Sequence, residues 1–161
     1  MTINPELSRG ASEPMSNSPV ISADLVWEGG MSFVARTDSH HFITLDASAE
    51  DGGQNSGPRP MEAVLCALGG CSGMDVVAFL RKKRRTVEAL TVRVSGKRRE
   101  NPPRIFEELN LEYRLRGPDL TDADIRWAVE LSINKYCSVL AMLGQTAKVV
   151  PRWTLEPPAT S

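Results

Sequence analysis

The stretch PMEAVLCALGGCSGMDVVAFLRKKRR, residues 60–85, constrains the chain more than any other, because it is the most apolar segment and carries two of the three cysteines. Pro60 suits the first turn of a helix, where its missing N–H costs nothing, and Glu62 stands where the helix dipole favours negative charge. The basic run at 81–85 complements the carbonyl end and then dissolves in water, so it reads as a helix stop and not as a binding patch. The apolar part is about long enough to cross a bilayer, but Glu62 and Asp75 interrupt it and no second such span follows. The expectation is therefore a core helix, apolar or small around nearly its whole circumference. Gly69, Gly70 and Gly73 each weaken such a helix by roughly 1 kcal/mol relative to alanine, and their use would be to let another backbone approach beside Cys71.

A chain of 161 residues holds one sizeable core, and residues 21–158 are expected to form a single domain. Charge is nearly balanced at −1, which gives no footprint for nucleic acid, and no membrane partner is expected. Residues 1–20 are rich in Ser, Pro, Asn and Glu and read as a disordered leader. They carry no apolar core of signal-peptide type, so the expected location is the cytoplasm. There, three cysteines argue for reduced thiols, metal ligands or redox chemistry over a disulfide scaffold. Cys66 and Cys71 would stand about 140° apart around a helix, so any bridge must reach another element.

Residues 23–27 and 31–35 alternate around Glu28-Gly29-Gly30 as a hairpin, and 41–45 form a third short strand before a polar loop. Beyond the helix, Leu90, Val92 and Val94 share one face of a strand, and Ile105, Leu109, Leu111, Tyr113 and Leu115 share one face of another. Arg93, Glu108, Glu112 and Arg114 take the opposite faces, as in antiparallel strands lying on a core. Thr121 and Asp124 make a capping box for an amphipathic helix whose inner face reads Ile125, Ala128, Val129, Ser132, Ile133, Tyr136 and then Cys137. The apolar run continues to Gly144, and 147–155 form a last strand. The fold class is α+β. Six strands cover two apolar helices thinly, so a homodimer whose sheets help cover each other's helices is expected.

Cys71 and Cys137 thus fall on inward faces of two different helices. Buried cysteine is often mere packing, but Gly69-Gly70-Cys71-Ser72-Gly73 clears bulk around one thiol, which packing does not require. Cys66 lacks these glycines and reads as core. These features, together with Pro60-Met61-Glu62, Met74-Asp75-Val76-Val77, Pro103-Arg104-Ile105-Phe106 and Lys135-Tyr136-Cys137-Ser138-Val139, resemble the OsmC/Ohr superfamily, especially its YhfA-type branch. The resemblance runs from about residue 25 to 155.

It implies an intertwined homodimer with antiparallel sheets wrapped around long central helices. It also implies a two-cysteine peroxidase of oxidative and osmotic stress that reduces organic or fatty hydroperoxides, with no bound cofactor and a dithiol reductant such as a lipoylated protein. Cys71 would be the attacking thiol and Cys137 the resolving one. The family's glutamate and arginine beside the thiol would be supplied by Glu62 and Arg36, with Arg104 a second candidate arginine. Aligned on Cys71, however, Met61 takes the glutamate's position, and Glu62 lies about 180° round a regular helix. A buried thiol with no cation beside it is held protonated, which implies weak activity. The alternative is a non-catalytic, stress-associated homodimer that binds a small apolar ligand.

Two other motifs carry less. Gly-Cys-Ser-Gly in a nucleophile elbow would need a strand-to-helix turn and a downstream histidine, whereas His40 and His41 both precede it. A zinc site from Cys71, Cys137 and one of these histidines lacks the paired short spacings of four-ligand sites. Adjacent histidines in a strand point to opposite faces, so at most one could join.

Overall fold

A computed structural model describes residues 20–157; the greater part of the expected leader lies outside them. The span expected as one domain comprises two compact units that part between Gly57 and Pro58.

The first unit is a three-stranded antiparallel sheet of β1 (Ala23–Gly29), β2 (Ser32–Thr37) and β3 (Phe42–Leu45) in the order β1-β2-β3. Gly29 and Gly30 both take positive φ, 108° and 54°, so the hairpin turns where the glycine pair predicts. The two histidines do not lie in a strand as expected. His40 sits in a turn at φ 62°, donating its N–H to Thr37 O, and His41 precedes β3. After β3, Asp46 gathers the following loop, accepting from Ser56 N and Oγ and from Gln54 N.

The second unit contains α1 (Pro60–Lys82), β4 (Ala89–Arg98), β5 (Phe106–Arg116), α2 (Asp122–Leu131), α3 (Ser138–Leu143) and β6 (Lys148–Leu155). Its sheet has the order β4-β5-β6, with β4 antiparallel and β6 parallel to β5. A parallel return needs a long crossover, and α2 and α3 supply it. The core joins Leu68, Val76 and Leu80 of α1 to Leu109, Leu111 and Tyr113 of β5 and to Ile125 and Val129 of α2.

Three features depart from the periodicity. Phe106, not Ile105, is buried at the start of β5. Lys97 pairs with Glu108 but Arg98 with Phe106, so a bulge at Glu107 inverts the alternation. Phe106 then lies so close to Gly96 that a Cβ there would meet its ring at 2.5 Å.

The helix expected to run on to Cys137 ends earlier. A π-helical turn, Ser132–Tyr136, follows α2, and Cys137 takes an extended conformation as the N-cap of α3. The extra residue in that turn rotates Tyr136 off the inner face, leaving it exposed.

Finally, α1 is buried on one side only. Cys66, expected in the core, is exposed together with Ala67, Met74 and Ala78. The glycines of α1 serve packing by side chains, since Val94 and Val92 of β4 approach the Cβ positions of Gly69 and Gly73, while nothing meets that of Gly70 within 4 Å.

Candidate functional site: two thiols and a carboxylate

Cys71 and Asp75 are separated by one helical turn and share a face of α1. The π-helical turn and the extended backbone at its end bring Cys137 to the same place. The two sulfurs and a carboxylate oxygen of Asp75 all lie within 4.8 Å of one another. Cys137 is 2% exposed, whereas Cys71 and Asp75 are half-buried and open to an approaching molecule.

A chain of buried hydroxyls backs this cluster. Ser132 Oγ donates to Asp75 Oδ2 at 3.0 Å, Ser72 Oγ lies 2.9 Å from Ser132 Oγ, and Tyr113 Oη lies 2.6 Å from Ser72 Oγ. Each hydroxyl has one proton. Ser132 spends its proton on the carboxylate, so Ser72 must donate to Ser132, and Tyr113 must donate to Ser72. The three dipoles therefore all point at Asp75. Burial pushes the Tyr113 hydroxyl up to about 12, against the Ser72 hydrogen bond, and the neighbouring Cys137 and Asp75 charges push the same way as burial. It stays a proton donor at any physiological pH.

The Cys137 thiol is pushed up to about 11, first by burial. The adjacent Cys71 and Asp75 add to the rise, and the Leu140 N–H, 3.4 Å from Sγ, opposes it. A thiol so placed keeps its proton at neutral pH. Cys71 is the more accessible of the pair.

The other candidates make different contacts. Glu62 is at the third position of α1, where it accepts from Arg59 N at 2.9 Å and Arg59 Nη1 at 3.2 Å. Its carboxyl is lowered chiefly by that backbone hydrogen bond. It is thus a helix cap, and nine residues of regular helix set it about 13.5 Å along the axis from Cys71 and on the opposite side. Met61 packs against the core. Arg36 stands on β2 in the first unit, its Nη2 3.5 Å from His40 Nδ1, and Arg104 donates Nε to Glu100 O. Among the described residues, no lysine or arginine hydrogen-bonds to Cys71, Asp75 or Cys137. The ligand-type group gathered with the thiols is Asp75. Asp75 stands four residues after Cys71 in the sequence, and periodicity put Ser132 and Tyr113 on inner faces, but nothing in the sequence joined them, or Ser72, to the thiols.

The family model described as OsmC-like protein matches residues 53–151. Protein YhfA of Escherichia coli K12 is 40% identical over 129 residues, 80% of this chain and 93% of that protein. The crystal structure of a hypothetical protein from Aquifex aeolicus superposes with a TM-score of 0.77 at 34% identity, over 86% of this chain and 98% of that one. A putative organic hydroperoxide resistance protein of Vibrio cholerae, with captopril in one of its active sites, shares the fold at a TM-score of 0.60 and 18% identity, over 86% and 95% of the two chains. By the family-model match over more than half of its length and the 40% identity to protein YhfA, the chain belongs to the OsmC-like protein family.

Proposed function

We propose that the protein is a thiol-dependent peroxidase that reduces organic hydroperoxides to alcohols through Cys71 and Cys137. The observation that carries this reading is the approach of two sulfurs from different helical segments to within 4.8 Å. The Cys71 thiolate attacks one peroxide oxygen and the O–O bond breaks. The alkoxide leaves as an alcohol after taking a proton, and Cys71 becomes a sulfenic acid. Cys137 then attacks the sulfenic sulfur, water leaves, and a disulfide forms. An external cytosolic dithiol, such as a lipoylated protein, reopens it through a mixed disulfide. The apolar neighbours of Cys71 favour organic over hydrogen peroxide.

Intact-mass and thiol counting of the reduced protein, before and after one equivalent of cumene hydroperoxide, tests the proposal. The expected result is the loss of two thiols and a Cys71–Cys137 crosslink. Three unchanged thiols would overturn it and favour the ligand-binding homodimer, a reading supported by Met61, which takes the place of the family's glutamate and packs against the core.

The working unit under this proposal is a homodimer. Its support is the apolar face that α1 leaves uncovered, where Met74 is 73% exposed. A groove of about 560 Å³ runs beside it, between the glycines of α1 and Leu90 and Val92 of β4. A second copy would remove this surface from water. The expected solution mass at micromolar concentration is that of two chains, and a monomer would remove this part of the proposal.

A further inference from the structure

We infer that Cys71, Asp75 and Cys137 form a binding site for a thiophilic divalent cation of the zinc type, with one coordination position left open. Two ligands one turn apart on a helix face and a third from another segment is an arrangement zinc sites use. Two thiolates and a carboxylate suit zinc or cobalt, whereas magnesium and calcium require oxygen donors throughout. Zinc–sulfur bonds of about 2.3 Å and zinc–oxygen bonds of about 2.1 Å, at tetrahedral angles, set ligand atoms roughly 3.5–3.8 Å apart. The three atoms, all within 4.8 Å of one another, need to close by at most about 1.3 Å to reach those separations.

The hydroxyl chain behind the site is the second observation. Ser72, Ser132 and Tyr113 are all 0% exposed, so three polar groups are spent in the core to orient one carboxylate. A ligating carboxylate is ordinarily held by an outer hydrogen bond, and Ser132 holds Oδ2 at 3.0 Å. Among the described residues no hydrogen bond engages Asp75 Oδ1, which leaves a donor atom for the cation.

Cation binding and disulfide formation exclude each other, because both use the same sulfurs. If the pair is oxidised, the balance is zinc dithiolate plus hydroperoxide plus two protons giving disulfide, free zinc, alcohol and water. The cation would then shield the thiols until a hydroperoxide ejects it. The binding site itself does not depend on the peroxidase reading.

The test is anaerobic titration of the reduced full chain with cobalt(II), followed by displacement with zinc. The expected result is one cobalt per chain, with thiolate-to-cobalt charge transfer and the intense ligand-field bands of a tetrahedral ion. Cys71→Ser and Cys137→Ser should each diminish the charge transfer, Asp75→Ala should weaken binding by at least about tenfold, and Ser132→Ala by roughly tenfold. Cys66→Ser should change nothing. Asp75→Asn retains the shape of the side chain and tests the same point if circular dichroism finds the alanine variant unfolded. A weak octahedral spectrum, affinity indifferent to both Asp75 variants, or loss of the bands in Cys66→Ser would overturn the inference. A chain that binds cobalt in this way yet keeps its thiols in hydroperoxide would support the site while refuting the peroxidase proposal.

Discussion

Cys71→Ser is expected to lower hydroperoxide consumption by on the order of a thousandfold or more, because a serine hydroxyl is not ionised near neutral pH. Cys137→Ser should behave differently. It should still consume the first equivalent but stop at a sulfenic acid, losing one reactive thiol without a crosslink and trapping a carbon nucleophile such as dimedone. The order of roles follows from the surroundings of the two sulfurs. Cys137, 2% exposed and pushed up to about 11, is shielded from substrate and from deprotonation. Cys71 is half-buried beside residues without side-chain bulk. Rapid thiol loss in Cys71→Ser with none in Cys137→Ser would reverse the assignment.

The parts of this site that the sequence revealed are those set by local rules. Pro60 begins α1, Thr121 caps α2 by accepting from Asp124 N at 3.2 Å, and alternation marks β4 and β5. Each depends on neighbours within a turn or on a period of two, which the chain writes directly. What could not be read arises from changes of phase. The extra residue at Glu107 turns Phe106 inward, and the π-helical turn carries Tyr136 outward and sets Cys137 as an N-cap. Each is a slip of one residue, which inverts or rotates the pattern of faces and leaves no compositional mark.

Charge was misleading in a different way. Glu62 lies at a favourable place for the helix dipole, and the structure uses it for Arg59. Asp75 seemed only to interrupt an apolar helix, and it is the polar group that meets both thiols. The helical spacing to Cys71 was present, but only the approach of Ser132 and Cys137 from another segment gives it a chemical setting. The basic run at 81–85 likewise does more than end a helix, since two of its members hold α2.

Asp124→Ala is expected to destabilise the protein by about 2 kcal/mol at neutral pH. Removing one member of a buried ion pair costs about 3–5 kcal/mol, but Lys83 and Arg85 are 40% and 36% exposed and recover part of that from water. Asp124 itself is 3% exposed. It binds Lys83 Nζ at 2.6 Å and accepts from Thr121 Oγ1 at 2.7 Å. Arg85 Nε approaches at 2.9 Å as an ion pair without hydrogen-bond alignment. Lys83 also lies 4.8 Å from the Trp127 ring centre, so the pair fixes α2 against the end of α1. The Lys83 hydrogen bond, followed by that of Thr121, lowers the Asp124 carboxyl from 3.8 to about 2 in spite of burial. A carboxyl lowered by folding stabilises the native state above its unfolded value, and that stabilisation fades as pH falls from 3.8 towards about 2. Asp46, lowered to about 2 chiefly by Ser56 N–H, acts in the same direction in the first unit. Urea unfolding should therefore separate wild type from Asp124→Ala at neutral pH, and the two midpoints should converge through this acid window. A difference that persists undiminished below it would mean that Asp124 stabilises by packing and not by charge.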